Sequence, residues 1–409
     1  MSRPAQRSPN RTAAPLRVLI VGPSIDILGG QAVQAARLVE KLRGEPELRV
    51  GFLPVNPRLP SPLRKLQTIK YVRTVVTSLI YLATLLARVW RYDVVHVFSA
   101  SYLSFVIAPA PAILVARLLS KKVLLNYRSG ECEDHLRRWR TALPVIRLAH
   151  RVIVPSGYLV EVFSRFGIQA QAIANIVDLS RFEFKERHPL RPILLSNRNF
   201  ETLYNVEAIL SAFALIQLRV PDARLIVAGD GSHRDTLRKL AVELDLRNVE
   251  FTGALPPEQM PEIHRRADIF VNASNIDNMP VSILEAFASG LAVVTTDAGG
   301  IPHIVTSERN GLMVPRGDST RLARKVLALL ETPGLAQRLI ATAHEDSKKY
   351  QWDAVRHEWL RAYHELRGTL RVSGVSLLVR RSRFDVSRPI QIAPEMPRTG
   401  KQETENAKV

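Results

Sequence analysis

Residues 274–300, SNIDNMPVSILEAFASGLAVVTTDAGG, are the stretch from which the fold of this chain can be worked out. The order of residue types predicts a loop, a helix over Pro280–Ser289, a strand over Ala292–Thr295 and a glycine loop. Pro280 suits the first helical position, and Asn278 could cap the helix. Free backbone N–H groups at a helix start bind phosphate, helped by the helix dipole. The stretch therefore predicts an anion site at the start of this helix.

Two carboxylates flank the predicted helix start. Asp277 lies just before it, and Glu285 lies eight residues further on, about 12 Å at helical rise. A nucleotide sugar laid across this end could place its sugar near Asp277, its diphosphate on the N–H groups and its ribose near Glu285. Carboxylates accept hydrogen bonds from such hydroxyls. Isolated acids are mostly solvated, so it is the setting on either side of a helix start that favours binding.

The rest of the chain alternates apolar, β-branched runs with amphipathic segments, a pattern typical of parallel sheets covered by helices. The predicted strands of a first series are Leu16–Gly22, Val94–Phe98, Val123–Asn126 and Arg151–Pro155, with a helix over Gln31–Leu42. The second series comprises strands Ile193–Ser196, Arg224–Ala228, Val249–Phe251, Asp268–Val271 and Ala292–Thr295, with helices Val206–Arg219, Arg234–Leu244 and Pro280–Ser289. The fold class predicted is α/β, with two Rossmann-like domains.

Changes in composition set the expected domain limits. A charged, turn-like stretch near 183–191 separates an N-terminal domain, residues 16–187, from a C-terminal domain, residues 188–350. Residues 351–370 are predicted to form a helix that packs back toward the N-terminal domain. A basic arm, 1–15, and a polar, basic tail, 371–409, are expected to be disordered.

Bulk properties restrict the class of protein. The chain has 409 residues, of which 46% are apolar and 23% charged, a composition typical of soluble globular proteins. The single cysteine, Cys132, excludes an internal disulfide framework and suits a reducing compartment. The first residues lack the apolar core of a secretory signal, so a cytoplasmic location is expected. The sequence contains no P-loop motif, no Asp-x-Asp, and no GxGxxG after the first strand, which disfavours P-loop hydrolases, metal-dependent single-domain glycosyltransferases and dinucleotide dehydrogenases.

The net charge of +19 favours an anionic partner or surface. The arm contributes +3 and the tail +4, which leaves +12 on the remaining chain. Nucleic acid, an anionic membrane surface and an anionic substrate all fit this charge. The absence of zinc-ligand spacing, a basic zipper or an aromatic–basic RNA motif disfavours nucleic acid.

The segment Leu66–Ala87 is apolar over about the length of a membrane span. Lys70 and Arg73 interrupt it, and a buried helix of the first domain is the preferred interpretation. A helix lying on a membrane surface and a true span are the alternatives. Basic neighbours, among them Arg64 and Arg91, would meet anionic headgroups.

The sequence from Asp277 onward resembles the retaining glycosyltransferases of family 4, the glycosyl transferases group 1, whose fold is GT-B: two Rossmann-like domains facing a central cleft. The family signature is Glu, seven residues, then Glu followed by Ala-x-Ala-x-Gly. Glu285–Gly290 matches its second half, and Asp277 occupies the position of the first Glu. Ala298–Pro302 matches the glycine turn, with His303 where a Glu is usual. The resemblance extends over roughly residues 16–366.

This resemblance implies roles for individual residues. Glu285 would hold the donor ribose, and Asp277 would contact the sugar or the reaction centre. The positions expected to bind the donor through their backbone are Asn278, Met279, Pro280, Val281, Ser282, Gly29, Gly30, Gly299 and Gly300. Arg198 corresponds to the diphosphate-binding Arg, and a guanidinium at the C-terminal end of a strand would face the cleft. The family's Lys a few residues later is absent, so another Arg substitutes or the donor is held differently.

The segment Asn126–His135 lies where the family often places a His or Gly of the active site. Arg128, Gly130, Glu131 and His135 are candidates, each equally compatible with a structural role. A thiol catalyst built from Cys132 and His135 is disfavoured.

The function expected from the resemblance is metal-independent transfer of a sugar, with retention, from a nucleotide-diphosphate sugar to a glycan or lipid-linked acceptor, as in polysaccharide biosynthesis. No cofactor beyond the donor substrate is expected. The enzyme would be cytoplasmic and peripheral at the inner membrane face. A nucleotide-sugar epimerase of the same fold and a non-catalytic scaffold with a degenerate donor site are the alternatives.

Overall fold

The computed structural model describes residues 14–25, 30–57 and 70–368. Their strands form two parallel six-stranded sheets. The first sheet has the order β2-β1-β3-β4-β5-β6. Its strands are β1 Leu16–Gly22, β2 Leu48–Pro54, β3 Val94–Ser99, β4 Lys122–Tyr127, β5 Arg151–Val154 and β6 Ala170–Ala172. The helices around it are α1 Gly30–Arg43, α2 Lys70–Val89, α3 Tyr102–Ile107, α4 Pro109–Leu118, α5 Cys132–Arg138, α6 Ala142–Arg147 and α7 Gly157–Arg165.

The second sheet has the order β12-β11-β10-β7-β8-β9. Its strands are β7 Ile193–Ser196, β8 Arg224–Ala228, β9 Val249–Gly253, β10 Ile269–Asn272, β11 Ala292–Thr296 and β12 Leu312–Val314. The helices that follow Ser196 are α8 Val206–Gln217, α9 Arg234–Glu243, α10 Met260–Arg266, α11 Val281–Ala288, α12 Ser319–Glu331, α13 Pro333–Ser347 and α14 Trp352–Arg367. Strands such as β3 and β11 are buried along their whole length because helices cover both faces of each sheet.

This topology confirms the predicted α/β class with two Rossmann-like sheets. The strands β2, β6 and β12 were not predicted from the sequence. Both β6 and β12 have only three residues, too few to show a period. Most of β2 is only half-buried, and Arg49 and Gly51 interrupt its apolar residues.

The chain passes from the first sheet to the second earlier than the predicted boundary at 187/188. Ile176 packs in a core with β1, whereas Val177 packs in a core with α11. Arg187 also belongs to the second side, because its buried guanidinium donates to the carbonyls of Ala267, Ser289 and Gly290. We therefore call residues 14–176 the first half and residues 177–350 the second half.

Helix α14 returns to the first half. Trp359 and Tyr363 pack in the same core as β1, and the Tyr363 hydroxyl lies 2.6 Å from His96 Nδ1. The predicted arm up to residue 13, Gly29, residues 66–69 and the tail from residue 369 lie outside the described residues.

Helix α2 differs from the preferred interpretation as a buried helix. It buries Tyr81, Leu85 and Val89 but exposes apolar side chains such as Leu79 along another side. Among the described residues, only this helix, over Val72–Val89, is long and apolar enough to cross a membrane by length and composition. The core helix of a soluble protein can pass the same test.

Candidate active site

A cavity of about 650 Å³ opens between the two sheets. It lies at the C-terminal ends of parallel strands from both halves, the edge at which ligands bind in open α/β sheets. The first half and the chain leaving it contribute Gly30, Gln31, Val33, Gln34, Arg37, Arg128–Glu131, Pro155 and Asn175. The second half contributes Asn197–Asn199, Leu203, Tyr204, Ala228–Gly231, Ala254, Leu255, Pro257, Met260, Ile276–Ser282 and Glu285.

The start of α11 faces this cavity, as the anion-site prediction requires. The helix begins at Val281, and Pro280 occupies the cap position instead of the predicted first helical position. No side chain of the described residues caps it. The prediction that Asn278 caps the helix is wrong, because its side chain instead accepts from the Ser156 hydroxyl and donates to the Arg128 carbonyl, 3.3 Å away.

Arg198 and Asp277 form an ion pair beside this helix start. The Arg198 guanidinium donates to the Asp277 carboxylate, and its Nη1 lies 3.2 Å from Ser282 Oγ. The guanidinium also lies 4.1 Å above the centre of the Tyr204 ring. Both charged side chains are about one-tenth exposed and line the cavity. A positive group is thus fixed where an anion would meet the helix start.

Glu285 forms a second ion pair across the cleft. Its Oε1 accepts from Arg37 Nη2 at 3.1 Å, and Arg37 also donates to the carbonyl of Ile176. Arg37 lies on α1 of the first half, whereas Glu285 lies on α11 of the second half. Among the described residues no donor reaches the other carboxylate oxygen, which can therefore accept from a ligand hydroxyl in the cavity.

Gly299 and Gly300 lie behind the 277–278 loop. A Cβ on Gly299, whose φ is +51°, would come within 2.1 Å of the Asp277 carbonyl oxygen. On Gly300 it would come within 1.9 Å of the Asn278 carbonyl oxygen. The Gly300 N–H also donates to the Asp277 carbonyl at 3.1 Å. Gly299 and Gly300 therefore position the loop that carries Asp277 and are not part of the cavity lining. Of the glycines predicted to bind the donor, Gly30 lines the cavity, at the first turn of α1.

Asn175 joins Met279 to the first half. Its amide donates to the Met279 carbonyl at 2.7 Å, and its Oδ1 accepts from Arg128 Nη2. Sequence reasoning assigned Asn175 no role in the site and missed Arg37. Arg37 lies in no local motif: an Arg on an amphipathic helix normally faces solvent, and only the folded chain brings it to Glu285, 248 residues away.

Three of the four candidates in the 126–135 segment, Arg128, Gly130 and Glu131, line the cavity. Arg128 stacks over the Phe98 ring at 5.5 Å and has no carboxylate partner among the described residues. Burial lowers its pKa to about 9. Burial, and then the charge of Asp134, raises the pKa of Glu131.

The fourth candidate, His135, is buried in the core of the first half. Its Nδ1 lies 2.7 Å from the Tyr127 hydroxyl. Burial also raises the pKa of the neighbouring Cys132 thiol, which disfavours the thiolate. A structural role for both residues follows from this packing.

Two parallel Rossmann-like sheets on either side of a cavity are the arrangement of the GT-B fold. Residues 180–346 match the family model of glycosyl transferases group 1. This match covers less than half of the chain.

Curated relatives are glycosyltransferases. The chain is 26% identical over 310 residues to the sulfoquinovosyl transferase of Arabidopsis thaliana, covering 69% of this chain and 59% of that protein. It is 28% identical over 187 residues to the GDP-mannose-dependent alpha-(1-6)-phosphatidylinositol monomannoside mannosyltransferase of Mycobacterium tuberculosis, covering 43% and 49%. The matched part of the chain therefore spans less than two thirds of each relative.

Solved structures show the same GT-B fold. The Anabaena protein Alr3699/HepE in complex with UDP superposes with a TM-score of 0.68 at 16% identity, over 86% of this chain and 100% of that chain. A sucrose-phosphate synthase from Thermosynechococcus elongatus gives a TM-score of 0.65 at 20% identity, over 86% and 99%.

Proposed function

We propose that this chain transfers a sugar from a nucleotide-diphosphate donor to a lipid-linked or glycan acceptor with retention of configuration. The observation that carries the proposal is Arg198, held by Asp277 and Ser282 beside the uncapped start of α11 at the cavity wall. Cleavage of the donor leaves negative charge on the diphosphate. A cation and backbone N–H groups fixed at that point stabilise the charge as it develops.

The lining of the cavity supports one orientation of the donor. The diphosphate would lie between Arg198 and the start of α11, the sugar near Asp277, and the ribose near the free oxygen of Glu285. The apolar side chains of Leu255, Pro257 and Met260 in the lining would receive the base. The neighbour from Anabaena was solved with UDP, UDP with glucose, and UDP-glucose, and the mycobacterial relative is named as GDP-mannose-dependent.

Arg128 is our candidate to replace the Lys that the family has after Arg198 and that this chain lacks. It reaches the cavity from the first half without a carboxylate partner among the described residues. With a pKa of about 9, the guanidinium is protonated at neutral pH, although its burial disfavours the charge. The negative charge of a bound diphosphate would compensate the buried positive charge of Arg128. Arg128 and Arg198 would then both contact the diphosphate.

Retention implies that the acceptor oxygen attacks the anomeric carbon from the same face from which the diphosphate departs. The bond between the anomeric carbon and the diphosphate oxygen breaks, the acceptor oxygen bonds to that carbon, and the acceptor proton passes to the departing phosphate oxygen. This route requires no dedicated base. Metal independence and the absence of a cofactor beyond the donor remain part of the proposal.

The acceptor class follows from the relatives' names together with the charge of the chain. The mycobacterial relative acts on a phosphatidylinositol mannoside, and another relative is an alpha-monoglucosyldiacylglycerol synthase of Streptococcus pneumoniae. A lipid-linked acceptor at the inner face of a membrane, met by a cytoplasmic and peripheral enzyme, fits these names. Transfer to a glycan in polysaccharide biosynthesis is the second acceptor class. Nucleic acid is not proposed as a partner.

The first test is thermal stabilisation of the full chain by UDP-glucose and GDP-mannose, since a bound donor raises Tm by mass action. The stabilising donor is then incubated with a lipid extract, and transfer is measured. Arg198→Ala and Glu285→Gln should each reduce turnover strongly; unchanged turnover in both rejects the site. Conversion of the donor without acceptor would indicate an epimerase, and binding without transfer to any acceptor would indicate a scaffold.

A further inference from the structure

Helix α2 carries an apolar stripe on its exposed side. Its members recur every three or four residues and so lie along one side of the helix: Val72, Val75, Leu79, Leu82, Leu86 and, just beyond the last turn, Trp90. Leu79 is 62% exposed and Trp90 is 58% exposed. A helix that only served the core would face solvent with polar residues on this side.

Exposed apolar residues also lie on the helices packed beside α2. Of the seventeen exposed large apolar residues among those described, eleven lie between residues 72 and 119, on or next to α2, α3 and α4. These helices pack together in one core, where the Tyr81 hydroxyl of α2 donates to the Ala108 carbonyl at 2.9 Å. Exposed apolar residues gathered in this way mark a binding surface.

Positive charge is concentrated in the same part of the chain. Residues 72–122 contain six Lys or Arg against the single acid Asp93, a net charge of +5. Residues 188–350, in contrast, carry a net charge of −1. The exposed Arg91 lies 5.0 Å from the Trp90 ring at the end of the stripe. Trp and Arg side by side are suited to the boundary between acyl chains and anionic headgroups.

We propose that the exposed side of α2, with α3 and α4 beside it, docks this protein onto an anionic lipid bilayer, with α2 lying in the plane of the membrane surface. A second copy of the chain fits less well, because a symmetric dimer would bring the same positive surface against itself. A span is disfavoured because Tyr81, Leu85 and Val89 of this helix belong to the core of the first half. Docking at this surface would bring the enzyme of the proposed function to a lipid-linked acceptor. Binding to the bilayer is measured without sugar transfer, so it is tested separately from that function.

The test is sedimentation of the full chain with phosphatidylcholine vesicles and with vesicles of equimolar phosphatidylcholine and phosphatidylglycerol. We expect binding to the anionic vesicles that weakens as salt is added. Leu79→Gln with Leu86→Gln should reduce partitioning about a hundredfold, at about tenfold per leucine. The matched control is Leu215→Gln with Leu218→Gln, two exposed leucines of the second half, which should leave binding unchanged.

A charge series uses Arg73→Gln and Arg91→Gln, each expected to weaken binding about fivefold at low salt. The matched control is Arg324→Gln, an exposed cation on α12. Absence of binding to the anionic vesicles at low salt, or an equal loss in the leucine control, overturns the proposal. So does a wild-type dimer in sedimentation velocity that the Leu79/Leu86 variant converts to monomer without a change in vesicle binding.

The two proposals fail separately. The stripe variants should keep the Tm shift that UDP-glucose or GDP-mannose gives the wild type, because the stripe lies outside the cavity lining. Vesicle binding without transfer would reject the proposed enzyme and leave the docking surface standing.

Discussion

Replacing Arg198 with Ala tests the proposed site most directly. The change removes the donor to Asp277, the contact with Ser282 Oγ at 3.2 Å and the stacking on Tyr204 at 4.1 Å. Loss of one preorganised group at a developing charge lowers kcat about 10²–10³-fold, or about 3–4 kcal/mol. The variant should also lose about 3 kcal/mol of stability, the lower end for a broken buried pair, because Asp277 is left unpaired at an open cavity.

A second substitution, Asp277→Asn, separates the effect on kcat from the effect on stability. In Arg198→Ala/Asp277→Asn the uncompensated carboxylate is gone, so the free energy of unfolding should return toward the wild-type value. Turnover at saturating donor should remain low, since Arg198 no longer faces the diphosphate and Arg128 alone remains. The control is Arg309→Ala, which breaks an exposed pair with Asp346 away from the cavity and should leave kcat unchanged. Recovery of wild-type turnover in the double variant would refute the role of Arg198 toward the leaving group.

Four further outcomes are expected. Arg128→Gln should lower kcat about a hundredfold without loss of stability in urea, because a desolvated cation is removed; a stability loss with normal kcat would make it structural. Besides lowering turnover, Glu285→Gln should raise the donor KM about tenfold or more, since a charged acceptor of a ribose hydrogen bond becomes neutral; an unchanged KM would move the ribose elsewhere. Gly299→Ala should destabilise more than Gly317→Ala, since both have positive φ but only Gly299 is crowded by a carbonyl; equal Tm losses would contradict that crowding. The raised pKa of Glu131 means that its ionised form opposes folding, so Glu131→Gln should raise Tm at neutral pH, a gain that disappears below about pH 4. If this variant loses kcat and the wild-type product has the inverted anomeric configuration, Glu131 is a catalytic base and retention is rejected.

Local patterns in the sequence were sufficient for the fold class. Runs such as the one in β1 are buried on both faces, and that burial requires a continuous apolar pattern which is visible without a structure. Arg198 and the start of α11 could also be predicted from the sequence. A residue just after a strand, or just before a helix with Pro at its start, has its position set by its neighbours in the chain.

Long-range contacts decided the rest. The sequence by itself determined the two parallel sheets and the helix start between Asp277 and Glu285, because secondary structure follows from the periodicity of nearby residues. Only the tertiary structure brought Arg37 to Glu285, turned Asn278 toward Ser156 and away from the helix cap, and left one side of α2 uncovered. Each of these depends on which distant surface a side chain meets, and the spacing of residues along one segment carries no information about that surface.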